Sequence, residues 1–126
     1  MFVSCGGFYL CLGSSLGGLL ALEAGLKQPS VFGLLGALSP STWWDSTWII
    51  GQVRAHSPAQ KPLRLYLDSG DSGTDNDDVV NTRQLASVYS SLGVSVRHVV
   101  QRGGQHGESW WRQRVPGALQ YLLGPR

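Results

Sequence analysis

The chain reads as an α/β protein, a parallel sheet with helices on both faces. Three observations predict it. Short apolar runs alternate with longer stretches of helical spacing, in the order β-α-β-(α)-β-α-β-α, which is the pattern of a parallel sheet covered by helices. Glycine and proline punctuate nearly every junction between those stretches. The length of 126 residues suits one domain with a real core, and 42% hydrophobic with 14% charged residues describes a globular chain.

Each element has its own warrant. Phe8 to Leu12 is an apolar run stopped by Gly13, as in a strand buried on both faces. Gly17 to Leu26 carries Leu19, Leu20, Leu22, Ala24 and Leu26, a helix ended at Gln28-Pro29. Phe32 to Leu38 is the next strand, interrupted by Gly33 and Gly36 and halted at Ser39-Pro40. Thr42 to Arg54 is aromatic-rich and predicts an irregular segment with a short helix. His56 to Pro62 is a polar linker, and Leu63 to Asp68 is a third strand. Asp77 or Asp78 is placed to cap a helix running to Leu92, whose apolar face is Leu85, Val88, Tyr89 and Leu92, with Gly93 as its stop. Val94 to Val100 is the fourth strand. Trp111, Val115, Ala118, Leu119 and Leu122 mark a last helix that Pro116 breaks or restarts.

The net charge of +2 is too small to argue for nucleic acid or a membrane surface. The stretch before Glu23 lacks charge, yet the basic region of a signal peptide is missing and its glycines and serines dilute it as a membrane span. Cys5 and Cys11 lie in apolar sequence and read as reduced, buried thiols rather than a disulfide framework, which points to the cytoplasm. The acids Asp71, Asp75, Asp77 and Asp78 do not follow the calcium-loop template, and no phosphate-cradling lysine follows Gly13. Trp110-Trp111-Arg112-Gln113-Arg114 reads as one packed tryptophan with solvated arginines, not as a nucleic-acid site. Trp43 and Trp44 either pack in the core or line an acyl pocket.

The chemistry concentrates in three loops. Gly13-Ser14-Ser15-Leu16-Gly17 matches G-x-S-x-G between a predicted strand and a predicted helix, where a sharp turn would expose Ser15 as a nucleophile. The helix start behind it favours negative charge, and the Leu16 N–H is placed to donate to an oxyanion. A serine hydroxyl needs a base. His56 falls in the linker and His98 within a strand, but His106 sits in the Gly103–Gly107 loop after the last strand, at the same sheet edge as Ser15. A carboxylate should orient that imidazole. Asp71, just beyond the third strand, is the first choice, with Asp77 and Asp75 as rivals and Asp78 reading as a cap. The order Ser15, Asp71, His106 is serine, acid, histidine along the chain.

These motifs resemble the Putative esterase family of α/β-hydrolases, which includes esterase D, enterochelin esterases and feruloyl esterases. The likeness covers nearly the whole chain. Its carriers include Leu12-Gly13-Ser14-Ser15-Leu16-Gly17-Gly18, Leu38-Ser39-Pro40-Ser41-Thr42-Trp43-Trp44, Tyr66-Leu67-Asp68-Ser69-Gly70-Asp71 and Gly103-Gly104-Gln105-His106-Gly107-Glu108. The resemblance implies hydrolysis of small carboxylic esters or thioesters through an acyl-serine, without a metal or organic cofactor. It also implies that residues 1–126 are a single α/β-hydrolase domain lacking the family's usual N-terminal strands. That predicts a partial fold, missing a second oxyanion donor, with a sheet edge and apolar helix faces uncovered unless a second copy or a partner protein covers them. The alternative from another class is a catalytically inactive hydrolase fragment that serves as a binding module.

Overall fold

The computed structural model describes residues 2–5, 8–56 and 62–125. Four strands run parallel in chain order, β2 Phe8–Ser14, β3 Leu34–Leu38, β4 Arg64–Gly70 and β5 Val96–Gln101. Their register pairs Leu10 with Leu34, Leu34 with Arg64 and Leu65 with Val96, so their carboxyl ends lie along one edge. A further strand, β1 Phe2–Cys5, pairs antiparallel with β2 from Phe2–Cys11 to Cys5–Phe8. It is absent from the sequence-based expectation of four strands. β1, not β2, therefore forms this edge of the sheet.

Side chains along a strand alternate between faces, and this alternation builds two cores. Cys11, Leu35, Ala37, Leu65 and Leu67 point to one face, where they meet α1 Leu16–Lys27, α2 Trp44–Ala55 and α3 Val79–Ser91. Leu10, Leu34, Leu38 and Tyr66 point to the other, where Ala118 and Leu122 of α4 Glu108–Leu123 cover them. Leu22, Leu65, Leu67 and Leu85 are fully buried, and each such side chain contributes about 1.5–3 kcal/mol of transfer free energy. Gly36 in β3 sits beneath Leu12 and Leu122, which occupy the space a Cβ would need. Gly36 thus lets the strand pass under α4 instead of interrupting it.

The helix ends follow local chemistry. α3 stops at Gly93, whose φ of 83° is open to glycine, while Val94 N–H reaches back to the Tyr89 carbonyl at 3.2 Å. Asp78 precedes α3 but its carboxylate makes no capping bond and instead accepts from Asn81 Nδ2 at 2.8 Å. α4 begins three residues earlier than the sequence pattern indicated and continues through Pro116. The expected irregular segment is α2, which contains a left-handed turn at Asp45, Ser46 and Thr47. Most of the predicted linker, residues 57–61, lies outside the described residues. Cys11 is buried with a free thiol. Among the described residues no helix is long and apolar enough to cross a membrane.

Gly36→Val is expected to lower unfolding stability by about 1–3 kcal/mol through overpacking against Leu12 and Leu122, as measured by urea denaturation. An unchanged midpoint would show that α4 does not close on β3.

Candidate active site

Each strand end delivers one or more polar groups to the same edge of the sheet. Ser15 follows β2 with φ 57° and ψ −126°, a conformation that L-residues rarely adopt. Two backbone bonds hold it there: Ser15 N–H donates to the Leu38 carbonyl at 3.0 Å, and the Ser15 carbonyl accepts from Ser41 N–H at 3.1 Å. α1 starts at once, with Gly18 and Leu19 N–H both donating to the Ser15 carbonyl. The two glycines of the pentapeptide differ in their reasons. A Cβ on Gly13 would collide with the Gly17 carbonyl, whereas a Cβ on Gly17 meets nothing. Gly18 is the other tight position, against Pro40.

His106 lies beyond β5, and its Nε2 is 2.9 Å from Ser15 Oγ, across 91 residues of sequence. Its Nδ1 is 2.8 Å from Asp77 Oδ1. A carboxylate only accepts, so Nδ1 carries the proton and Nε2 presents its lone pair to the Ser15 hydroxyl. Trp111 of α4 stands edge-on to the imidazole, with ring centroids 5.0 Å apart. His106 is half-exposed while Asp77 is buried. A hydroxyl aligned on an imidazole whose far side meets a buried carboxylate can give up its proton as it attacks an electrophile.

The first-choice carboxylate is placed elsewhere. Asp71 Oδ1 accepts from Gly103 N–H at 2.8 Å and from the Ser72 hydroxyl at 3.0 Å, so it ties down the loop that carries His106 rather than touching the ring. Of the acids in this stretch, Asp77 is the one on the imidazole. The chain reverses after β4 through a turn, Thr74–Asp78, in which Asp75, Asn76, Asp77 and Asp78 all have φ of 51–53°. Asparagine and aspartate tolerate left-handed backbone better than other L-residues, which accounts for the acidic composition. Asp75 is exposed at the crest of that turn. Asp68 lies inside β4, fully buried.

Two contributors were not foreseen. Ser39, at φ 43° and 1% exposed, donates its hydroxyl to Asp77 Oδ2 at 2.6 Å. Arg114, read from the sequence as solvated, is 7% exposed and donates from Nη2 to Ser39 Oγ at 2.9 Å. Its Nε forms an ion pair with Asp68 Oδ2 at 2.9 Å, without the alignment of a hydrogen bond. Burial pushes the Asp68 carboxyl up, while Arg114, the Tyr66 hydroxyl and the Ser39 N–H pull it back down. The signal for Arg114 was its spacing from Trp111, Ala118 and Leu122 on the buried stripe of α4. Ser39 stands at the carboxyl end of β3, the edge where Ser15 and His106 were expected, but its positive φ cannot be read from periodicity.

The other histidines are apart from this cluster. His98 lies in β5, where burial and the Arg83 charge hold its imidazole below the usual range. His56 closes α2 on the Gln52 carbonyl. A cleft of about 220 Å³ opens over Ser15 and His106, walled by Pro40, Trp43, Thr74 and Asp78. Trp43 is exposed at its mouth, while Trp44 stacks edge-on with Trp48. Leu16 and Leu20 on α1 are 58% and 63% exposed, an apolar strip on the helix that starts at Ser15.

Residues 7–122 match the family model described as Putative esterase. The chain belongs to this esterase family. It is 28% identical to the iron(III) salmochelin esterase of Escherichia coli O6:H1, with 89% of this chain and 30% of that protein aligned. It is 26% identical to the protein YbbA of Bacillus subtilis, with 90% of this chain and 48% of that one aligned. The solved enterochelin esterase of Shigella flexneri superposes with a TM-score of 0.79 at 25% identity, covering 92% of this chain and 30% of that one. The fold is that of the α/β-hydrolase esterases over the shared part, and the chain spans about a third to a half of these relatives' lengths.

The glycine geometry separates two variants. Gly13→Ala is expected to lower the melting temperature by several degrees, because the elbow must open to admit the methyl group. Gly17→Ala should leave it unchanged or raise it slightly, since alanine favours the helix and meets no atom. Equal losses from both in a thermal melt would contradict this packing.

Proposed function

We propose that this chain carries the catalytic centre of a serine esterase, with Ser15 as nucleophile, His106 as general base and acid, and Asp77 as the orienting carboxylate. The observation that carries the reading is the continuous pair of hydrogen bonds, Ser15 to His106 at 2.9 Å and His106 to Asp77 at 2.8 Å, on a strained strand-to-helix turn.

In this mechanism Ser15 Oγ attacks the ester carbonyl carbon as its proton passes to His106 Nε2. Asp77 stabilises the imidazolium through the Nδ1–H bond and keeps the ring in the productive tautomer. The carbonyl oxygen gains negative charge, which the Leu16 N–H and the N-terminus of α1 are placed to stabilise. That N–H begins the helix and so has no intrahelical acceptor. Collapse expels the alkoxide, which takes the proton from His106 and leaves an acyl-Ser15. Water, deprotonated by His106, then attacks the acyl carbon and releases the acid and the free serine. The residues need no metal or organic cofactor for any of these steps.

Small-molecule esters are the proposed substrate class, and the open cleft over Ser15 and His106 supports it. Siderophore esters are the first substrates to try, because relatives of this chain are named salmochelin and enterobactin esterases. Thioesters follow from the same acyl chemistry.

The test is fluorophosphonate labelling of the purified chain, with the modified residue mapped by mass spectrometry. Ser15 should be modified, and His106→Ala should abolish the labelling. Asp77→Asn should slow it by about 10³–10⁴-fold, as loss of the orienting carboxylate does in such triads. Asp71→Asn keeps an acceptor for Gly103 N–H and should leave the rate near that of the wild type. A folded chain that does not label would remove the esterase reading and favour the inactive binding module. A fall with Asp71→Asn but not with Asp77→Asn would reassign the acid.

A further inference from the structure

The buried side of Asp77 faces a chain of donors whose direction is forced by chemistry. Asp77 Oδ2 accepts from Gly70 N–H at 2.7 Å and from Ser39 Oγ at 2.6 Å. A serine hydroxyl has one proton, and here it is committed to the carboxylate. The lone pairs of Ser39 Oγ are then free to accept from Arg114 Nη2 at 2.9 Å, and a guanidinium has no acceptor with which to reverse the arrangement. Arg114 is in turn anchored by its Asp68 ion pair and by Gln101 Oε1 at 2.8 Å. Asp68 itself accepts from Ser39 N–H at 2.9 Å and from the Tyr66 hydroxyl at 2.8 Å. Ser39 is thus gripped from backbone and side chain at once. Its φ of 43° is one that glycine would adopt without strain, so the residue found there retains a hydroxyl against its own backbone preference.

We propose that Ser39 is a positioning residue for the Asp77–His106 pair, with the buried Arg114 guanidinium polarising its hydroxyl. This rests on the serine-esterase reading above. The hydroxyl occupies Oδ2 and leaves Oδ1 aimed at the imidazole, and it draws negative charge toward the buried oxygen. Ser39 and Arg114 touch no reacting atom; they act through Asp77. The ionisable groups around Asp77 are His106 from the β5 loop, Arg114 from α4 behind Ser39, Asp68 and Tyr66 on β4, and Asp75 and Asp78 in its own turn. Of these, Arg114 is the cation that reaches the carboxylate's buried side through Ser39.

The experiment compares Ser39→Ala and Ser39→Gly with the wild-type chain, measuring kcat and KM for p-nitrophenyl acetate across pH, with fluorophosphonate titration of the competent fraction. Both variants remove the hydroxyl, but only glycine also relieves the backbone, so Ser39→Gly stays informative if Ser39→Ala folds poorly. Both should lower kcat per competent site by about ten- to a hundredfold, the size of a lost hydrogen bond to a charged group, with KM unchanged. The acid limb of the kcat/KM profile should move to higher pH, because a carboxylate deprived of a donor holds more charge against the imidazolium. Arg114→Gln should move the limb the same way. A folded Ser39→Gly with wild-type kcat and an unmoved acid limb would overturn the role of Ser39 while leaving the esterase reading intact. A smaller competent fraction with an unmoved limb would also overturn it, as the signature of a purely structural residue. A wild-type chain that neither labels nor hydrolyses the ester would remove the reading and this inference together.

Discussion

The parallel register of β2 to β5 is the constraint from which the rest of the site follows. Pairing Ser14 with Leu38, Leu38 with Asp68 and Gly70 with Gln101 aligns the carboxyl ends of all four strands. The residues that emerge there, Ser15, Ser39, Asp77 and His106, are far apart in the chain but share one sheet edge. Register in a sheet buried on both faces is strongly specified, since a slip of one residue would exchange the contents of the two cores. Leu65 and Leu67 would then meet α4, and Tyr66 and Asp68 would be driven among the leucines of α1 and α3. The apolar packing therefore fixes the positions of the polar groups, although it touches few of them.

Strain is concentrated at that same edge. Ser15, Ser39 and the run Asp75–Asp78 all hold positive φ, each at a cost of order 1–2 kcal/mol for an L-residue. Each strained segment is tied by bonds that a relaxed backbone would lose: Ser15 to Leu38 and Ser41, Ser39 to Asp68, and Asp77 to Gly70. The close approach of Gly70 to Gly104, where a Cβ would strike the Gly104 carbonyl, brings the Asp77 turn and the His106 loop together. Asp71 reinforces the same junction by accepting from Gly103. Many short polar ties between loops thus join the segments of the site, held over two well-packed faces.

How far the sequence could be read depended on the kind of signal. Phe8 to Leu12, Leu63 to Asp68 and the Leu85–Leu92 face announced themselves because burial imposes periodicity. Ser15 and His106 were legible because a glycine-rich turn and a single histidine at the sheet edge leave few other arrangements. β1 leaves a weaker mark: Gly6-Gly7 between two apolar runs is a hairpin signal, but Phe2 to Cys5 is too short to show a period. The carboxylate that meets the imidazole is hidden for a different reason. Nearness to the strand end favours Asp71, while the chain reaches Asp77 through a left-handed turn at Asp75, Asn76 and Asp77, and such turns leave no periodic mark. Only their composition, Thr74-Asp75-Asn76-Asp77-Asp78, is suggestive.

α4 joins the two halves of this account. Trp111, Arg114, Ala118 and Leu122 recur at three- and four-residue spacing, so they share one face of the helix. The lower pair seals the second core against Leu10, Leu34 and Tyr66. The upper pair reaches the site, Trp111 against the His106 ring and Arg114 against Ser39 and Asp68. A buried guanidinium beside a buried carboxylate is a poor source of stability, since desolvating both charges offsets most of their attraction. It is well suited to holding a third group in register. On this helix the residues that exclude water from the sheet and those that support the carboxylate differ only by a turn. A shift of α4 along its axis would therefore disturb packing and the geometry of the Ser39–Asp77–His106 cluster together.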